Sequence, residues 1–204
     1  MKNSIFIKIL LFLFIFVLNT NFLNANEKNY KIIKLVNEQV ITNYDLEKRI
    51  KLFAVLRNAQ INQGNYNIIA TEILSAMVDE KLQLEKMIEY KINIRESEVT
   101  DYLKRAYTND TLSIDDLFKA LELNNIDLNI LKEMIEINLG WQRLTRNLYY
   151  RSSNVNAEEI DKLMLERPNI SRERAEQILL QDQIDLRAKK LLRDIKNEAN
   201  IENR

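Results

Sequence analysis

Three adjacent acid pairs, Asp79-Glu80, Asp115-Asp116 and Glu158-Glu159, are the strongest candidates for chemistry in this sequence. Paired carboxyls suit general acid–base work when their environments hold them at different proton affinities. Neighbouring residues on a helix, however, point in different directions. Asp115-Asp116 and Glu158-Glu159 fall in first turns of expected helices, where acids offset the macrodipole. Asp79-Glu80 lies mid-helix beside Lys81 and reads as a solvated face. Asn109-Asp110-Thr111 offers one acid and no glycine, where an oxygen-ligand cation loop needs several acids and a turn. Ser152-Ser153 beside Arg151 lacks a base.

Composition closes most other routes. The 204 residues contain no Cys and no His, which removes disulfides, thiolate catalysis, His triads and His or Cys metal clusters. Two Gly cannot build a dinucleotide fingerprint or a P-loop. Thirty basic and thirty acidic residues cancel, which argues against a nucleic-acid binder working through a large positive field. No cofactor, no metal and no enzyme activity are expected.

What remains is binding. Tyr102, Tyr107, Phe118, Tyr149 and Tyr150 are aromatics near helix ends. They are suited to stacking on an apolar client or to closing the core. Met77, Met87, Met134 and Met164 follow helical spacing, as core residues or as the lining of an adaptable groove.

The elements that must position these residues begin after a leader. Residues 1–25 carry Lys2 and Lys8, the apolar run ILLFLFIFVL from Ile9, and a polar exit ending at Ala25. This is the pattern of a secretory signal peptide. The run is short for a membrane span, although an uncleaved inner-membrane anchor is the alternative. Lys31 to Val36 and Gln39 to Thr42 are β-branched and flank Asn37-Glu38, a hairpin signal. Thr42 to Asp45 reads as a capping box opening a helix to about residue 60, with Leu46, Ile50, Phe53, Ala54 and Leu56 at helical spacing. Further helices are expected over about 68–91, 96–107, 114–123, 127–151, 157–166 and 171–199, with Ser113, Asn156 and Ser171 as caps. Gly140 lies inside one of them, read as a close helix contact beside Trp141.

Three segments in this order resemble the N-terminal domain of the SurA/PpiC/PrsA-type foldases. The first is Ile33 to Thr42 with Tyr44-Asp45-Leu46. The second is Ile73-Leu74 with Met77 to Leu84, then Ile92-Asn93-Ile94 and Glu98-Val99; Lys91 stands where the family usually has Gly. The third is Leu117, Leu121, Ile126-Asp127, Leu131 and Ile135 to Trp141. The resemblance covers about 120 residues, 31–150. The stretch from Ser171 to Ala199 looks like the family's returning C-terminal helix. Only 151–204 follows, too short for a parvulin domain, so prolyl-isomerase activity is not expected despite the family label.

The resemblance implies a mainly α fold: a helical domain with a short N-terminal hairpin and a long C-terminal helix packing back on it. The segments are a signal peptide, 1–25, the chaperone domain, 26–152, and a completing helical segment, 153–204. It further implies a periplasmic, ATP-independent chaperone that binds unfolded exported polypeptides, outer-membrane barrel precursors above all, and assists their assembly. A dimeric structural or assembly subunit of the envelope is the competing reading, and a homodimer is compatible with both.

Overall fold

The computed structural model describes residues 30–108 and 113–204. The leader expected over residues 1–25 and the Asn109-Asp110-Thr111 segment lie outside the described residues. Among those described, seven helices surround a small antiparallel sheet, so the mainly α architecture expected from the sequence is what forms.

The chain opens on strands β1 (Ile32–Val36) and β2 (Gln39–Thr42), paired Val36 to Gln39 and Leu35 to Val40 across a two-residue turn. Asn37 takes a left-handed φ of 50°, a conformation asparagine tolerates better than most residues. Thr42 then caps α1 (Asn43–Arg57). Its hydroxyl accepts from the Asp45 N–H at 3.1 Å, and the Asp45 carboxylate accepts from the Thr42 N–H at 3.0 Å. The reciprocal pair satisfies two amides that the first turn leaves without helical partners. Asn58 ends the helix with φ 47°.

α2 (Tyr66–Glu89), α3 (Glu96–Tyr107), α4 (Ile114–Leu123) and α5 (Leu128–Tyr149) follow. Ser113 caps α4 through the same reciprocal box with Asp116, and Asp127 caps α5. Lys91, just past the end of α2, has φ 54°. A side chain in this left-handed conformation carries a steric cost of roughly 1–2 kcal/mol. The expected helix over 127–151 stops at Tyr149, and Tyr150–Ser152 tighten into a 3₁₀ turn. α6 (Ala157–Glu166) and α7 (Arg172–Glu198) form a hairpin, capped by Asn156 and Ser171.

A third strand, with no signal of its own in the sequence, follows α7. β3 (Ile201–Asn203) pairs antiparallel with β1, giving the order β2-β1-β3. The Asn37 N–H donates to the Asn200 carbonyl at 2.8 Å, and the Asn200 N–H donates to Asn37 Oδ1 at 2.9 Å. Three residues with one large apolar member carry no strand signature of their own; the partner strand lies about 165 residues away and supplies it.

Burial divides into separate cores. One holds Val36 and Ile41 of the hairpin, Ile50 of α1, and Ile73, Met77, Val78 and Leu82 of α2. Leu192, Ile195, Ala199 and Ile201 close it, so the end of the chain completes the core begun at its start. The other gathers Leu52 of α1, Val99 and Leu103 of α3, Leu117 and Leu121 of α4, and Leu131 and Ile135 of α5. A satellite of Ile160, Leu163 and Ala175 holds the α6–α7 hairpin together. Residues 32–204 nonetheless form one compact unit.

α2 and α5 make the most extensive helix–helix contact, and Met87 of α2 packs directly on Gly140 of α5. A Cβ built there would land on Sδ and Cε of buried Met87. Met87→Ala should cost about 2–5 kcal/mol by opening a cavity. Gly140→Ala alone should cost about 1–3 kcal/mol of overpacking, reduced by about 1 kcal/mol of helix propensity. In the Met87→Ala background the same added methyl has room and should stabilise. A double-mutant cycle by urea denaturation should therefore show a favourable coupling of at least about 0.5 kcal/mol; simple additivity would contradict the contact.

Candidate functional site

The two main cores leave a cleft between them. α1, α2, α3 and α5 each turn a strip of residues into it: Phe53 and Leu56, Ile73 and Met77, Tyr102 and Tyr107, and Met134. Its volume is about 520 Å³. Two smaller concavities adjoin it through shared residues. One opens toward β2, sharing Arg49, Met77 and Glu80, and the other toward α7, sharing Tyr102, Tyr107, Glu80 and Met134.

An ion pair sits in the apolar lining. Arg49 of α1 donates from Nη2 to Glu80 Oε2 of α2, and both side chains are largely buried, with exposures of 13% and 20%. Burial pushes the Glu80 carboxyl above its ordinary range, and the Arg49 guanidinium pulls only part of the way back. Arg49 Nη1 is buried without a hydrogen-bond partner among the described residues. Next along α2, Asp79 accepts from Lys196 Nζ of α7 at 2.6 Å. The Asp79-Glu80 pair expected to lie on a solvated face is thus half-buried, and each carboxylate ties α2 to a different helix. The two acids serve separate cations rather than each other, which gives no acid–base dyad. Asp115-Asp116 and Glu158-Glu159 lie in first turns, where Asp116 and Glu159 complete capping boxes.

The wall formed by α3 is clamped from outside. Glu98 accepts from the Arg95 backbone N–H and Nε, both at 3.1 Å, and from Arg143 of α5. Arg143 also donates to the Asn93 carbonyl at 2.6 Å, and Lys132 reaches Glu96 at 3.0 Å. These donors, the Arg95 backbone first, hold the Glu98 carboxyl down at about 2.

Of the five aromatics singled out from the sequence, the structure brings two to the cleft. Tyr102 and Tyr107 stand half-buried on its wall, and desolvation raises the Tyr107 phenol. Phe118 lies on the outer side of α4, partly exposed, and does not line it. Tyr149 and Tyr150 are at the far end of α5. There the Arg187 guanidinium lies 5.8 Å from the Tyr149 ring centre, and that of Arg146 lies 5.2 Å from Tyr150. Met77 and Met134 line the cleft, whereas Met87 packs on Gly140 and Met164 belongs to the satellite core.

Sequence reasoning places none of Arg49, Phe53, Leu56 and Glu80 in a binding site: Phe53 and Leu56 read as one apolar helix face and Glu80 as part of a solvated acid pair. For Glu80 a signal existed. It falls in the run Ile73, Met77, Glu80, Leu84, the 4-3-4 spacing of a single helix stripe. A charge on an apolar stripe marks a buried polar group in need of a partner.

Among the described residues no cluster of three or more acids is placed to hold a metal ion, and no helix is long and apolar enough to cross a membrane. No family model matches this sequence, and no curated protein matches it at a significant level.

The two perturbed carboxyls should give opposite pH signatures. Glu98, depressed in the folded state, contributes stability that is present above about pH 4.5 and is lost as pH falls toward 2. Glu80, raised in the folded state, favours folding at low pH, and that contribution fades as pH rises above 4.5. In urea titrations across pH 2–7, the stability of wild type minus Glu98→Gln should fall on acidification. Wild type minus Glu80→Gln should instead fall on raising the pH. The same sign for both differences would contradict the placement of one of these carboxyls.

Proposed function

We propose that this chain is an ATP-independent holdase of the cell envelope, which receives apolar segments of unfolded exported polypeptides in the cleft between its two cores. The cleft carries this reading: it is open, lined by Phe53, Tyr102, Tyr107, Met77 and Met134, and built on secondary structure rather than loops. Aromatic and thioether side chains adapt to many apolar partners, as a non-selective client site needs. The leader-like pattern of residues 1–25 and the resemblance of residues 31–150 to the SurA-type N-terminal domain support clients outside the cytoplasm, with outer-membrane barrel precursors the leading class. Before insertion such chains expose strand edges and alternating apolar residues, and they aggregate readily.

The magnitudes suit catch and release. Burying about 600 Å² of client surface at roughly 25 cal/mol per Å² gives about 15 kcal/mol gross. Loss of translational freedom and ordering of the client remove most of it. Micromolar affinity is the expected outcome, with no nucleotide needed for release.

Light scattering of an unfolded barrel protein diluted from urea tests the proposal. Residues 26–204 should suppress the signal near stoichiometric ratio. Tyr102→Ser with Tyr107→Ser should raise the ratio required at least about threefold while circular dichroism stays helical. Tyr149→Ser with Tyr150→Ser should leave it unchanged. No suppression by folded wild-type protein would contradict the holdase reading and favour an assembly subunit.

A further inference from the structure

The cleft is apolar but not neutral. Among the described residues its lining carries two guanidinium groups, Arg49 and Arg57, against one carboxylate, Glu80. Glu80 is taken by Arg49. Arg57 lies eight residues further along α1, about 12 Å at the helical rise. It is exposed, sits close enough to Tyr107 for its charge to act on the phenol, and makes no ion pair among the described residues. The walls between the two arginines are Leu52, Phe53 and Leu56.

Resting on the reading of the cleft as a polypeptide site, we infer that its preferred occupant is the free C-terminal end of a polypeptide whose last residue is apolar. Such an end carries a carboxylate and an apolar side chain on the same residue. It matches a cleft with one uncommitted cation at its rim and apolar walls below. The carboxylate lies against Arg57, and the side chain enters between Phe53, Met77, Tyr102 and Met134. A carboxylate meeting a guanidinium makes charge-assisted hydrogen bonds stronger than neutral ones. A fatty acid presents the same headgroup, but its hydrocarbon tail would cover the Arg49–Glu80 pair and the tyrosine hydroxyls without offering them a hydrogen bond. A peptide offers main-chain carbonyls and amides at that depth.

Two fluorescently labelled peptides of identical apolar sequence, one ending in a free carboxylate and one in an amide, test this by anisotropy against the full chain. The acid should bind at least about tenfold tighter at low salt, and the advantage should shrink as salt screens the exposed pair. Arg57→Gln, a change at an exposed residue without an ion pair, should bring the acid to the affinity of the amide and leave the amide unchanged. Equal binding of acid and amide to wild type would overturn the inference and leave the cleft as a general apolar site. Binding of neither peptide would overturn the cleft reading with it. Laurate binding more tightly than the acid peptide would overturn the choice of occupant in favour of a lipid.

Discussion

The structure depends on one helix serving two cores. Ile50 and Leu52 of α1 are two residues apart, so they project about 200° from each other around the helix. Ile50 is buried with the sheet and α2, and Leu52 with α3, α4 and α5. A helix sandwiched in this way cannot let the cores on its two sides merge. Its remaining strip, Arg49, Phe53 and Leu56 at the i, i+4, i+7 spacing, faces the seam and becomes the floor and wall of the cleft. The apolar cavity follows from this division of labour along α1, and each of the other three helices contributes its own short strip.

The Arg49–Glu80 pair belongs to the same constraint. α1 and α2 share the core built on the sheet, and at the edge of that contact Arg49 and Glu80 line the cleft, so a charged pair stands where apolar packing would otherwise continue. Buried ion pairs contribute little net stability, because desolvation offsets the attraction. Here burial outweighs the partner at Glu80, and one Arg49 nitrogen has no acceptor among the described residues. The pair is therefore poorly explained as a stabilising device. On the proposed holdase reading it is the polar floor of the cleft, able to offer hydrogen bonds to a client's main chain. Stability is supplied elsewhere, by the α2–α5 contact at Gly140 and by the return of the chain's end to β1.

Much of this was legible in the residues, for local reasons. The caps at Thr42, Ser113, Asn156 and Ser171 act within three residues, and a three-residue pattern is visible in sequence. Asn37, Asn58 and Asn125 mark left-handed turns by their own tolerance of that conformation. The misses are tertiary. β3 exists only because β1 offers it an edge. α1 shows no clean apolar face because it is buried on two sides, so Leu52 escaped the single-stripe reading. Choosing aromatics by their position near helix ends found Tyr102 and Tyr107, but it also took in Phe118, Tyr149 and Tyr150. Proximity to a helix end does not say which side of the helix meets the seam.

The central claim is that clients occupy the seam between the cores, and the methionines report on it directly. Met77 and Met134 line the cleft, while Met87 is sealed against Gly140 and Met164 lies in the satellite core. In a methyl-labelled methionine NMR titration with an unfolded barrel protein, the account predicts that the Met77 and Met134 resonances shift or broaden while Met87 and Met164 hold. Saturable binding that moves Met164 and leaves Met77 and Met134 untouched would contradict it, placing the client on the α6–α7 hairpin instead.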